Sequence, residues 1–253
     1  MRTTSNPAFR NLPRSGYGNY GGFNPQAQGA YQQAGLTGRP MTVDDVVIRT
    51  AITLGLAVVT GALTILFQAW LLAVPAFIVG IVVSLIIIFK RTPNAALVLV
   101  YSAAEGIVLG AITGLFEHVY HGIAFQAIIG TFGVFAAMLI VYKTGVVRVT
   151  PRLTRWVIGA TVGAVFVMLA DLVLNLFGAS LGIRGGGPVA IVFSLLVIGI
   201  AAFNLLLDFE QADQMIRGGL PAKWAWYAAF GLMTTLVWLY LEILRLLSYL
   251  QRN

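Results

Sequence analysis

The sequence predicts an all-α polytopic membrane protein, a bundle of seven transmembrane helices. Three observations carry that expectation. Hydrophobic residues make up 58% of the 253 residues and charged residues only 10%, with a mean hydropathy of +0.87. Average soluble domains carry roughly a quarter charged residues, so these charges are too few to cover a soluble globule. Second, apolar runs able to cross a hydrocarbon core of roughly 30 Å recur from Val46 to Tyr249. Third, the runs are continuous, whereas membrane barrel strands alternate. Helices are left, because backbone groups in lipid must pair within their own segment.

Residues 1–43 come first and read as a disordered, polar, cytoplasmic tail. The stretch SGYGNYGGFNPQAQGAYQQAG is rich in Gly, Gln, Asn and Tyr and has no apolar periodicity. It cannot bury enough apolar surface to offset its ordering entropy. It is no signal peptide, because no apolar core follows Met1. The membrane domain is expected over residues 44–253, with Asp44 and Asp45 opening its first helix, where acids suit the helix dipole.

The predicted spans are Val46–Phe67, Leu71–Phe89, Ala95–Phe116, Ile123–Tyr142, Trp156–Phe177, Pro188–Leu207 and Trp224–Tyr249. In the third, Gly106, Gly110 and Gly114 form a G-x-x-x-G-x-x-x-G stripe that lets another backbone approach closely. The seventh is too long: at 1.5 Å per residue it rises about 39 Å. Either its first turns lie in the interface, ending near Gly231, or the helix is strongly tilted; the first is the favoured expectation and sets Glu242 near mid-membrane. The KWAWY cluster, Lys223–Tyr227, reads as an interfacial aromatic belt.

Topology follows from the basic residues. With the N-terminus inside, Arg2, Arg10, Arg14, Arg39, Arg49, Lys90, Arg91, Lys143, Arg148, Arg152, Arg155, Arg217 and Lys223 are cytoplasmic. Arg184, Arg245 and Arg252 fall outside, a vote of thirteen against three. The C-terminus is then outside, and the net charge of +7 and pI near 10.0 need no nucleic acid. The absence of cysteine excludes disulfides, thiolate zinc sites, iron–sulfur clusters and cysteine nucleophiles.

Acids inside spans are expensive, a central Asp costing roughly 2.5–3.5 kcal/mol. Four lie inside spans or at their edges: Glu105, Asp171, Asp208 and Glu242. Tyr101 precedes Glu105 by one turn, Asn175 follows Asp171 by one turn, and Asn204 precedes Asp208 by one turn. Arg245 stands three residues after Glu242, in place for an in-helix ion pair. Glu210 and Asp213 read as a wetted helix end. Two outer-loop histidines, His118 and His121, are too few for a metal site. Catalysis finds no motif: there is no G-x-S-x-G, no H-E-x-x-H and no histidine inside a span. No enzymatic activity and no cofactor are expected.

The closing residues are more specific. LLLDFEQADQMI, a loop, and TTLVWLYLEILRLLSYL resemble the last two helices of the Bax inhibitor-1 family (transmembrane Bax inhibitor motif proteins). The resemblance extends to the seven-span order, the basic turn FKRTPN and the YSAAEGIVLG of span three, over roughly residues 44–250. MRTTSNPAF and the WLYLEILRLLS ending look like a bacterial branch, which places the chain in a plasma (inner) membrane. The resemblance implies a cation leak, usually of calcium, controlled by pH through a pair of acids. Asp208 matches the acid that ends span six, and Glu242 occupies the place of the last-helix Asp. Both would contact calcium transiently. The connecting loop is about ten residues longer than in the best-known members, which leaves Asp213 as a substitute for Asp208. Lys90 or Arg91 matches the basic turn whose charge pairs with these acids.

The implied mechanism is physically sound. Two carboxylates in a low-dielectric bundle do not both ionise cheaply, so they titrate as a coupled pair. A shared proton holds spans six and seven together, and its loss or gain shifts their packing. Calcium prefers several oxygen ligands, and a pore needs only a few of them. Two other readings use the same residues: a proton-coupled secondary transporter, or a non-transporting regulator of a protease or stress response that binds other membrane proteins.

Overall fold

The structure is a computed structural model that describes residues 39–252. The disorder expected of the tail falls on residues outside that range, apart from its last few. The seven helices are α1 Val43–Leu66, α2 Ala73–Lys90, α3 Ala95–Val119, α4 Ile123–Thr144, α5 Pro151–Leu176, α6 Pro188–Arg217 and α7 Ala225–Arg252. Short 3-10 turns, Trp70–Leu72 and Ala222–Trp224, precede α2 and α7. All seven are long and apolar enough to cross a bilayer, and the described residues contain no strand. The protein is a multi-pass membrane protein.

Local chemistry fixes the helix ends. Thr42 and Asp45 form a reciprocal capping box at α1, Asn94 caps α3, and Thr150 caps α5 ahead of Pro151. Each side-chain oxygen satisfies an amide that the helix leaves unpaired. Pro188 opens α6 where its missing N–H costs nothing, and Gly145, left-handed at φ 67°, ends α4.

α7 is the central helix, packed by α1, α3, α4 and α6, while α2 lies outside against α3 and α5 outside against α6. Its sequence suits that position: Ala225, Ala229, Met233 and Leu239 are fully buried. After one 3-10 turn the seventh helix runs unbroken through Gly231, its first turns packed by neighbouring helices. The sixth span is also longer than expected, so Asp208, Glu210 and Asp213 lie within the helix.

The glycine stripe acts between α1 and α3. A Cβ on Gly106 would collide with the Ala57 carbonyl, and one on Gly110 with that of Gly61. Only glycine permits this approach. At the other extreme, Phe89, Phe166, Leu176 and Phe177 are at least 73% exposed, as lipid contact requires.

The boundary of the polar tail at residue 43 is also corrected. Met41 is buried, its amide donates to the Leu220 carbonyl at 2.8 Å, and the Ala222 amide donates to Arg39 O at 2.9 Å. Pro40 and Pro221 thus form an antiparallel bridge that ties the entry of α1 to the α6–α7 loop. Buried Asp45 supports it, accepting from both guanidinium nitrogens of Arg39 at 2.7–2.8 Å. Arg49 donates to Ala222 O and stacks 5.4 Å over the Trp226 ring.

Candidate functional site

The intramembrane acids separate into two groups along the bundle. The first surrounds a cavity of about 330 Å³ lined by α2, α3, α6 and α7. Asp208 of α6 and Glu105 of α3 both reach it, with Ser84, Tyr101, Thr234 and Thr235 supplying hydroxyls. Thr235 stands beside the Asp208 carboxylate, and the Oδ2 atom is buried without a hydrogen-bond partner. Glu105 neighbours the Tyr101 hydroxyl, which lies 3.2 Å from Thr234 Oγ1. Among the described residues no arginine or lysine lines the cavity. Asp208 is nine residues from the end of α6 at Arg217, roughly 14 Å along the helix. The cavity therefore belongs to the half of the bundle nearer Lys90, Arg91, Arg217 and Lys223.

The second group lies towards the opposite end. Glu242 is 2% exposed, and Arg245 Nη1 donates to both of its carboxylate oxygens, at 2.9 and 3.1 Å. Asp171 of α5 is fully buried. Its Oδ1 accepts from the Leu181 amide at 3.0 Å, and Arg184 Nε approaches Oδ2 to 3.4 Å. Arg184 also lies close enough to Glu242 to act on its charge. These residues anchor the loop between α5 and α6.

The expected pairing of Asp208 with Glu242 is corrected by this arrangement. Glu242 stands seven residues beyond Thr235 on α7, about 10 Å further along the axis. Its carboxylate is occupied by Arg245, and the acid that shares the Asp208 cavity is Glu105. Asp213 does not replace Asp208 either, because it pairs with Arg217 and accepts from the Tyr142 hydroxyl at 3.2 Å. Glu210 accepts from the same hydroxyl, also at 3.2 Å. Among the described residues Lys90 and Arg91 form no ion pair, since they are exposed at the end of α2 beyond the cavity.

Of the polar neighbours expected for these acids, Tyr101 stays beside Glu105 and Arg245 pairs with Glu242, whereas the two asparagines are rearranged. Asn204 turns away from Asp208 and donates to Thr161 Oγ1 on α5 at 2.8 Å. Asn175 bonds the backbone of Asp171, at 2.7 Å, and not its carboxylate. Thr234 and Thr235 were not legible as site residues. A hydroxyl in an apolar helix usually bonds its own backbone, as Thr234 does to Phe230 O at 2.9 Å.

Comparison with known proteins agrees with this architecture. The model of a family described as Bax inhibitor 1 like matches residues 6–252. No curated protein matches the chain.

Proposed function

Because the chain belongs to the Bax inhibitor 1-like family and crosses the membrane several times, we propose that it is a pH-sensitive, calcium-permeable leak channel of a plasma (inner) membrane. The observation that carries the reading is the buried Oδ2 of Asp208, unpartnered, in a cavity shared with Glu105 and four hydroxyls. Carboxylate and hydroxyl oxygens are the ligands a hard divalent cation takes. An incomplete set lets the ion leave again, as conduction needs. The same two acids are the groups that would sense pH, because each is a carboxylate removed from bulk water in a cavity that no described cation lines. Protonation changes the charge where α3, α6 and α7 meet and shifts the balance between two packings of these helices. The excess of Lys and Arg near the cavity end favours a cytoplasmic location for that end and for the N-terminus.

The test is calcium entry into dye-loaded proteoliposomes across a pH series. Wild type is expected to leak with a pH midpoint that Asp208→Asn and Glu105→Gln each abolish. Glu242→Gln is expected to keep the midpoint. A wild type that passes no calcium at any pH overturns the reading.

A further inference from the structure

The turn between α4 and α5 carries a feature that the ion path does not use. Lys143, Arg148, Arg152 and Arg155 are all exposed, within positions 143–155, and none has a carboxylate partner among the described residues. Most other described cations have one: Arg39 and Arg49 meet Asp45, Arg217 meets Asp213, Arg184 meets Asp171, and Arg245 meets Glu242. The nearby acids are occupied, Asp213 by Arg217 and Tyr142, and Glu210 by Tyr142 and Gln214.

The turn is also fixed in place. Val147 and Val149 pack against the buried core, whereas Val146 is 77% exposed and Arg148 faces out. The alternation is that of an extended segment pinned by every second side chain. Past the Thr150 cap, Arg152, Arg155 and Trp156 share one face of α5. Trp156 is 73% exposed, and an indole at a helix end sits at headgroup depth. Since α5 packs mainly on α6 and Arg152, Arg155 and Trp156 are exposed, this face is open to the bilayer.

We infer that the α4–α5 turn is a binding surface for anionic phospholipid headgroups. The charge complementarity is direct: exposed guanidinium groups on a pinned backbone present paired donors to phosphate oxygens, and Trp156 sets the depth. The helix dipole at the start of α5 adds to the same field. Each cation near an anionic surface is worth about fivefold in partition at low salt.

The chain has no cysteine, so Val146→Cys gives a single site for a fluorophore. The labelled full-length protein goes into phosphatidylcholine vesicles that contain a small fraction of spin-labelled phosphatidylglycerol or spin-labelled phosphatidylcholine. Phosphatidylglycerol is expected to quench more strongly, and salt is expected to remove the difference. Arg152→Gln and Arg155→Gln should each reduce the preference, by about fivefold. A fluorophore at Ala179→Cys, at the opposite end of α5, should show no preference. Equal quenching by both lipids, or a preference that survives the double Arg variant, overturns the inference. So does quenching that follows the protein-to-lipid ratio, which would mark a second copy on this face.

Discussion

Glu242 and Asp208 are both carboxylates on helices that cross the bilayer, but they have opposite surroundings. Glu242 is sealed in protein with a guanidinium on both of its oxygens. Asp208 opens on a cavity whose other acid is Glu105 and whose lining has no cation. Asp171 belongs with Glu242, tied to Arg184 and to the amide of the loop it holds. The cost of burying an acid is thus met locally at one end of the bundle and left unmet at the other. An acid whose charge is already neutralised by a partner anchors structure, and one without such a partner is free to take a proton or a cation.

The largest expected effect comes from breaking the neutralised site. Arg245→Ala strands a buried carboxylate, and removing one partner of such a pair costs about 3 kcal/mol. Thermal unfolding in detergent should report that loss, and adding Glu242→Gln should recover most of it. Recovery matters more than the loss, because a merely structural arginine stem would not be rescued. If the double variant is as unstable as the single, the pairing between Glu242 and Arg245 is not what stabilises this end.

A smaller effect of opposite sign is expected at the cavity. Asp208→Asn removes a poorly solvated charge, so stability is held or raised, by up to about 1–2 kcal/mol. Glu105→Gln acts on the same electrostatic strain, so the two changes should not add, with a coupling of about 1 kcal/mol. Asp208→Asn and Glu242→Gln should add within about 0.5 kcal/mol, because the residues lie two helical turns apart in register and share no partner. A double-mutant cycle on unfolding free energies measures both. Strong coupling to Glu242 and none to Glu105 would restore the pair that the family resemblance implies.

What the sequence makes legible follows the same physical division. Seven helices are readable because lipid leaves an apolar run no other structure to adopt. Gly106 and Gly110 are readable as a contact stripe because no larger residue fits against the Ala57 and Gly61 carbonyls. The acids stand out by their cost, but which of them meet depends on the order of helices in space, and no periodicity encodes that order. The central position of α7 is what sets Thr234 and Thr235, and not Glu242, beside Asp208. Arg39 closing on Asp45 is equally hidden, since a polar segment of low apolar content looks the same whether it is free or bridged to Pro221.

The return of Arg184 to Asp171 is the subtlest of these features, and it carries the smallest expected effect. The loop turns back at Gly182 and Gly186, whose φ angles of 76° and 78° suit only glycine without strain. Arg184 between them is 42% exposed along its side chain and 3.4 Å from the carboxylate, so its pairing is partly screened. Arg184→Gln should therefore cost about 1 kcal/mol. Because the Leu181 amide is held by Asp171, the cost appears there as hydrogen exchange faster by about fivefold. The pH midpoint proposed for calcium leak should not move, since Arg184 does not line the cavity. A midpoint that moves with Arg184→Gln would join the two ends of the bundle into one electrostatic unit and dissolve the distinction between an anchoring acid and a titrating one.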